Sequence, residues 1–187
     1  ILMRFIHASD LHIDSPLRGL DRYDGAPVER LRSATRSALE RLVDKALSER
    51  VDFLLLAGDI YDRDWQDFHT GLFFRGQMVR LERAGIRCFI VQGNHDAQGV
   101  ISRQLTLPSN VTVFSSRAAQ TVKLDELSVA IHGRSFPERE VNEDLVPSYP
   151  PPVSGYFNIG LVHTSLTGRA GHDTYAPTDL PTLVAKG

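Results

Sequence analysis

The uninterrupted apolar run Phe53-Leu54-Leu55-Leu56-Ala57 constrains this chain more than any other stretch. A strand with one wet face alternates apolar and polar residues, so a run without alternation predicts a strand covered on both faces, as in a parallel sheet. Leu2 to Ala8 and Ile86 to Val91 read as two further buried strands. Between these runs the spacing is helical. Leu31, Ala34, Ala38, Leu42 and Ala46 recur every three or four residues, joined by Leu39, Val43 and Leu47. Phe68, Leu72, Val79 and Leu81 are the core candidates of a second helix, which stops at Ala84-Gly85 where glycine suits a left-handed C-terminus. Strand, helix, strand units of this length imply right-handed parallel crossovers and hence an α/β fold.

After about residue 105 the texture changes to short β-prone runs at Val111 to Phe114, Thr121 to Leu124 and Leu127 to Ile131, the last two separated by Asp125-Glu126 as a hairpin turn. These runs predict a second, antiparallel-rich sheet. Pro147 to Gly155, with three consecutive prolines at 150–152, reads as stiff surface chain, and Tyr156 to His163 as one more strand.

Chemistry-bearing residues cluster where the apolar runs end. The first run leads to Asp10 and His12, the second to Gly58-Asp59, the third to Gly93-Asn94-His95-Asp96, and the Tyr156 run to His163. In open α/β sheets the carboxyl ends of parallel strands share one edge and form the ligand crevice there, so these residues are expected to converge. Carboxylates, an Asn carbonyl and imidazoles suit Mn, Fe, Zn or Mg. The single cysteine, Cys88, excludes a thiolate-rich structural site and an intramolecular disulfide, and reads as a small buried hydrophobe. Asp59 can bridge two ions, with Asp10 and His12 serving one and Asn94 and His163 the other. Two cations roughly 3.5 to 4 Å apart can hold a hydroxide for in-line attack on phosphorus, which predicts phosphoester hydrolysis.

Net charge is −2 over 187 residues, so no strongly basic balance announces a nucleic-acid binder, and a polyanionic substrate must be met by a local basic patch or by bound cations. Arg30, Arg32, Arg36 and Arg41 read as a solvated helix face diluted by Glu29, Glu40 and Asp44. Arg18, Arg63 and Arg103, in or near loops at the metal edge, are the candidate phosphate contacts. No run has the length of a membrane span, and the chain reads as cytoplasmic.

The set D-x-H, G-D-x-x-D, G-N-H-D and a later His resembles the calcineurin-like metallophosphoesterase superfamily. Within it, the stretch from Phe5 through Asp10-Leu11-His12 to Leu20, together with Gly58-Asp59-Ile60-Tyr61-Asp62 and Gly93-Asn94-His95-Asp96, is similar to SbcD-type DNA-repair exonucleases, and Ile131-His132-Gly133-Arg134-Ser135-Phe136 to the YhaO-like members of that branch. The resemblance implies a two-sheet β-sandwich flanked by helices, a dinuclear manganese-type centre and nuclease action on DNA, in one metallophosphoesterase domain over residues 1–187. It makes Asp10, His12, Asp59, Asn94 and His163 metal ligands and His95 the catalytic imidazole that protonates or stabilises the leaving oxygen. Asp96 would orient a neighbouring group, and Asp62 would do likewise or serve as a first-turn helix charge. A homodimer and an ATPase partner complete the expectation.

One departure from the family pattern stands out. The last motif, G-H-x-H, is not matched within these residues: Gly171-His172-Asp173-Thr174 has the wrong fourth residue, and the chain reaches Gly187 first. The expectation is a domain truncated on its C-terminal side, without that strand or a capping domain, with weakened metal affinity and activity. Two other functions compete with the nuclease: a phosphodiesterase or phosphatase for nucleotides or small phosphates, and a non-catalytic scaffold. For His7, a buried place in the first strand is expected; for His132, a structural role; for His69, an exposed helix position. Trp65 and Phe68 either stack on a base or belong to the core.

Overall fold

The computed structural model describes residues 3–15, 30, 33–62, 68–97, 105–166 and 175–187. Arg18, Arg63, Arg103, Trp65 and His172 lie outside the described residues. In chain order the elements are β1 (Phe5–Ala8), α1 (Ala34–Ser48), β2 (Phe53–Ala57), α2 (Phe68–Arg83), β3 (Arg87–Val91), β4 (Val111–Val113), β5 (Gln120–Leu124), β6 (Val129–Gly133), β7 (Phe157–Leu161) and α3 (Leu180–Lys186). One sheet runs β1-β2-β3-β4, all parallel, and a second runs β5-β6-β7.

Every residue of β2 is buried, and side-chain alternation divides them between two cores. Leu54 and Leu56, with Cys88 and Ile90 of β3, pack under α1 and α2 beside Leu39, Val43, Phe74, Met78 and Leu81. Phe53, Leu55 and Ala57, with Phe89 and Val91, face the second sheet and meet Leu124, Val129, Ile131 and Leu161. The order is therefore helix layer, parallel sheet, second sheet. Gly85, at φ +73, ends α2 as expected, and Cys88 is fully buried, which pushes its thiol up.

Several expectations are corrected. Val111 to Phe114 does not join the second sheet. β4 continues the first, with Cys88 opposite Val111, because the Asn110 side-chain amide donates to the Ile86 and Met78 carbonyls and seats the returning chain beside β3. In the second sheet β5 and β6 are antiparallel, joined through a tight turn at Asp125–Leu127 with Ser128 left-handed (φ 54), but β7 lies parallel to β6. The long proline-rich connection carries the chain back to the starting edge, so the direction is preserved. β1 is an edge strand with only β2 beside it, so it is not buried. His7 is exposed, and Phe5 remains 39% accessible although its ring stacks on Phe53.

The helical stripes are also rotated from their expected faces. Leu39, Val43 and Ala46 form the buried stripe of α1, whereas Ala34 and Ala38 are exposed. In α2 the buried set includes Phe74, Met78 and Leu81, and both Phe68 and Leu72 face solvent. Arg36 is not part of a solvated face: its guanidinium grips Asp14 and lies over the Phe73 ring. His69 is exposed as expected. His132 is 5% exposed and satisfied on both ring nitrogens, by the Thr121 hydroxyl at 2.8 Å and the Asn158 side-chain oxygen at 2.9 Å.

Candidate metal centre

The parallel register brings Ala8, Ala57 and Val91 to one edge, so the loops that follow β1, β2 and β3 leave the sheet together. β7 ends on the same side, because His163 reaches the Ala57 carbonyl with Nδ1 at 2.8 Å. A carbonyl only accepts, so Nδ1 carries a proton and the neutral tautomer leaves its lone pair on Nε2. That nitrogen faces the Asp59 Oδ2 at 3.4 Å and the Asn94 Oδ1 at 3.3 Å. Donor atoms of Asp10, Asp59 and His163 all lie within 4.8 Å of one another. His163 Nε2, Asp59 Oδ2 and Asn94 Oδ1 are thus aimed at one point, an arrangement that fits a divalent cation of the oxygen- and imidazole-binding kind. A proton on His163 is the metal-free alternative. Burial pushes its pKa down, but Asp59, the Ala57 carbonyl and Asp10 outweigh that and raise it. Burial likewise pushes the Asp59 carboxyl up, yet His163 and the His95 N–H and ring bring it below the usual carboxylate range.

Glycine is required at two positions by close approach. A Cβ on Gly58, already at φ +82, would lie 2.4 Å from the His163 ring, and one on Gly93 would lie 2.4 Å from the Asp59 carboxylate. Asp10, His12, Asp14 and Asp59 all adopt left-handed backbone, at φ 54, 40, 57 and 52. Such conformations cost about 1 to 3 kcal/mol each and persist where surrounding bonds over-determine them. Here Asp10 N–H donates to the Gly58 carbonyl, His12 N–H to Asp59 and Ile13 N–H to Ile60, lacing the first loop to the second.

Asp62 is the residue whose two readings the structure separates. Its Oδ1 lies 3.0 Å from His12 Nδ1 and 3.0 Å from His95 Nδ1, the latter off line for a hydrogen bond, and the Ser15 hydroxyl donates to its Oδ2. With Nδ1 held there, His12 turns Nε2 toward Asp59 Oδ2 at 3.8 Å. His12, Asp62 and His95 also group closely enough to hold an ion, but both imidazoles address one carboxylate oxygen, which suits a carboxylate orienting two rings. Burial pushes the Asp62 carboxyl up, and Ser15, His12 and His95 together bring it below its ordinary value.

Asp96 is 1% exposed and accepts the backbone N–H groups of Ile60, Tyr61 and Gly93 at 3.1, 2.9 and 3.1 Å. It therefore buckles the Asp59 loop to the His95 loop, and burial pushes its pKa up to about 6 against those bonds. His95 donates its backbone N–H to Asp59 Oδ1 at 3.0 Å, and its ring stands edge-on to His12 at 4.9 Å. Two aromatic residues at this site are given no role by the sequence: Tyr175 lies in no motif, and Phe136 only ends the Ile131 to Phe136 stretch. Tyr175 stacks on His163 at 5.1 Å with an interplanar angle of 11°, and Phe136 meets the same imidazole edge-on at 5.6 Å.

The five expected ligands are thus brought to one edge, with His95, Asp96 and Asp62 around them. No helix among the described residues is long and apolar enough to cross a membrane.

Comparison with known proteins agrees with this geometry. Residues 3–180 match the calcineurin-like phosphoesterase family. The chain is 34% identical to the metallophosphoesterase YhaO of Bacillus subtilis, a protein of uncharacterised activity, over 99% of this chain and 46% of that protein. It is 28% identical to the SbcD component of the nuclease SbcCD of Escherichia coli over 61% of this chain and 27% of the relative. It is 24% identical to the DNA double-strand break repair protein Mre11 of Methanopyrus kandleri over 93% of this chain and 43% of the relative. The chain spans less than half the length of each of these relatives.

Proposed function

The chain belongs to the calcineurin-like phosphoesterase family, and on that premise we propose that it is the metal-dependent nuclease domain of a DNA-repair enzyme. The observation that carries the hydrolytic part is the convergence on His163 Nε2 of Asp59 and Asn94, with Asp10 close by. In this reading Asp10, His12, Asp59, Asn94 and His163 hold two divalent ions, manganese by preference. When bound, the ions supply Lewis acidity toward the phosphoryl oxygens and an activated water near neutral pH.

The chain's own residues do the rest. His95 delivers a proton to the departing oxygen; an imidazole suits that task because its ordinary pKa lies near neutrality. Asp62 places its carboxylate 3.0 Å from the Nδ1 side of the His95 ring, where its charge favours the protonated imidazole, and Nε2 is left for the substrate. Asp96 keeps the His95 and Asp59 loops at fixed spacing through its three N–H bonds. The stacked Tyr175 stiffens His163. Arg18, Arg63 and Arg103 are proposed phosphate contacts.

DNA as substrate is supported by the similarity to the SbcD and Mre11 relatives, whose names carry nuclease and break-repair functions. An ATPase partner and a homodimer are proposed on the same similarity. A net charge of −2 favours a second reading, hydrolysis of nucleotides or small phosphodiesters, since such substrates need no basic track. Parallel assays of the protein on single-stranded DNA, linear duplex DNA and a nitrophenyl phosphodiester, with and without manganese, decide between them. Manganese-dependent shortening of DNA supports the nuclease; turnover of the small ester with intact DNA overturns it.

A further inference from the structure

We propose that Asp14, which carries no expected role in the reaction, is a positioning residue that sets the geometry of the loop bearing Asp10 and His12. The proposal rests on reading those two residues as metal ligands. Asp14 is 13% exposed, and its carboxylate takes Arg36 Nε at 2.7 and 3.0 Å and Nη2 at 2.5 Å, together with the Thr70 hydroxyl at 2.6 Å. Its backbone N–H donates to the Thr35 hydroxyl at 3.1 Å. Arg36 and Thr35 belong to α1 and Thr70 to α2, so one residue rivets the loop to both helices.

The loop needs such a rivet. Asp10, His12 and Asp14 are alternately left-handed, and a backbone bond from Ser15 N–H to the His12 carbonyl at 3.1 Å closes a turn with Asp14 inside it. The two ends of that turn address the same carboxylate, His12 through its ring and Ser15 through its hydroxyl, and Asp62 in turn stands beside His95. The ladder to Gly58, Asp59 and Ile60 fixes the loop against the neighbouring strand end, and Asp14 fixes it against the helix layer. Released from Arg36 and Thr70, the turn loses what holds two of its residues at positive φ, and the His12 ring loses its aim.

The test uses Asp14→Asn, Asp14→Leu and, as a control, Asp44→Asn. Asn tolerates left-handed backbone, so Asp14→Asn isolates the carboxylate from backbone strain and remains informative should Asp14→Leu fail to fold. Asp44→Asn removes the Arg80–Asp44 pair of 2.6 Å, which also joins α1 to α2 but does not touch the loop. His12 and His95 ring resonances are followed in metal-free protein, manganese is titrated by calorimetry, and melting is recorded for each variant. Both Asp14 variants are expected to shift the His12 resonances and to weaken manganese binding about tenfold or more, the range for groups that orient metal ligands, while Asp44→Asn moves neither. His12 resonances that stay in place in both Asp14 variants, or move equally in Asp44→Asn, overturn the proposal whether or not metal binds. A wild-type protein that takes up no manganese while His12 responds to Asp14→Asn overturns the metal reading and upholds the rivet.

Discussion

His163 Nδ1 lies 2.8 Å from the carbonyl of Ala57, a residue 106 positions earlier in the chain, and this bond aims Nε2 at Asp59 and Asn94. It also joins the last strand of the second sheet to the central strand of the first, so the imidazole is held by both layers of the sandwich.

The bond sets a pH dependence. In metal-free protein the raised pKa of His163 contributes stability that is fully present below the unfolded histidine value and is lost as pH rises through the folded one. The lowered Asp59 carboxyl contributes stability present above its unfolded value and lost as pH falls through the folded one. The pair therefore stabilises most between about pH 4 and 6.5, the two unfolded values. A cation must displace the His163 proton, so manganese affinity is expected to rise with pH through the raised histidine pKa, with proton release. Calorimetry in two buffers of different ionisation enthalpy measures that release directly.

Gly58→Ala puts a methyl group into the His163 ring and forces alanine to φ +82. A loss of about 1 to 3 kcal/mol in urea unfolding is expected from overpacking, with metal uptake impaired as well. Gly76→Ala is the comparison, because a Cβ there meets nothing within 4 Å; it should leave uptake unchanged and gain up to about 1 kcal/mol from helix propensity.

His95→Ala should lower the rate of phosphodiester hydrolysis by about 10² to 10⁴-fold, the usual worth of a positioned acid, while manganese binding is retained. Asp62→Asn should cost less in rate but also weaken metal binding, because its carboxylate holds His12 Nδ1 at 3.0 Å and only places its charge beside His95. Steady-state kinetics beside calorimetric titration separate the two effects. Equal hydrolysis by His95→Ala and wild type would remove His95 from the chemistry.

His132→Leu tests the imidazole that sequence alone could confuse with a ligand. Leucine forfeits the two ring hydrogen bonds at a site only 5% exposed, although the exposed Thr121 can turn to water and Asn158 Oδ1 keeps the Val153 N–H at 2.7 Å, so a loss of about 1 to 3 kcal/mol in stability is expected. Metal titration should be unchanged, since both ring nitrogens already face the second sheet and not the crevice.

The site was legible to the extent that it is written in strand ends. Gly58-Asp59 and Gly93-Asn94-His95-Asp96 follow buried parallel strands directly, and a parallel register leaves their carboxyl ends no choice but to share an edge. Asp62 stayed ambiguous because a carboxylate near a helix start has two ordinary explanations, and only the 3.0 Å approach to two imidazoles chooses between them. The contacts of Tyr175 and Phe136 with His163 were invisible, although Phe136 ends the Ile131 to Phe136 stretch: a ring that packs on a ligand has no preferred spacing from it in sequence. Arg36 was misread for a related reason. Composition sees a charged helix face, whereas its partner Asp14 lies 22 positions away in a loop.

Local sequence, then, determined the α/β class, the central buried strands, the end of α2 at Gly85 and the residue types of the metal edge. Each of these follows from periodicity or backbone freedom within a few residues. Which sheet takes Val111 to Val113, the direction of β7, the exposure of His7 on an edge strand and the face presented by each helix were decided by tertiary structure. These depend on which elements remain available to cover a strand or a helix face, a competition among distant segments that no local pattern records. The same holds for Asp14, whose importance lies wholly in what folding brings to it.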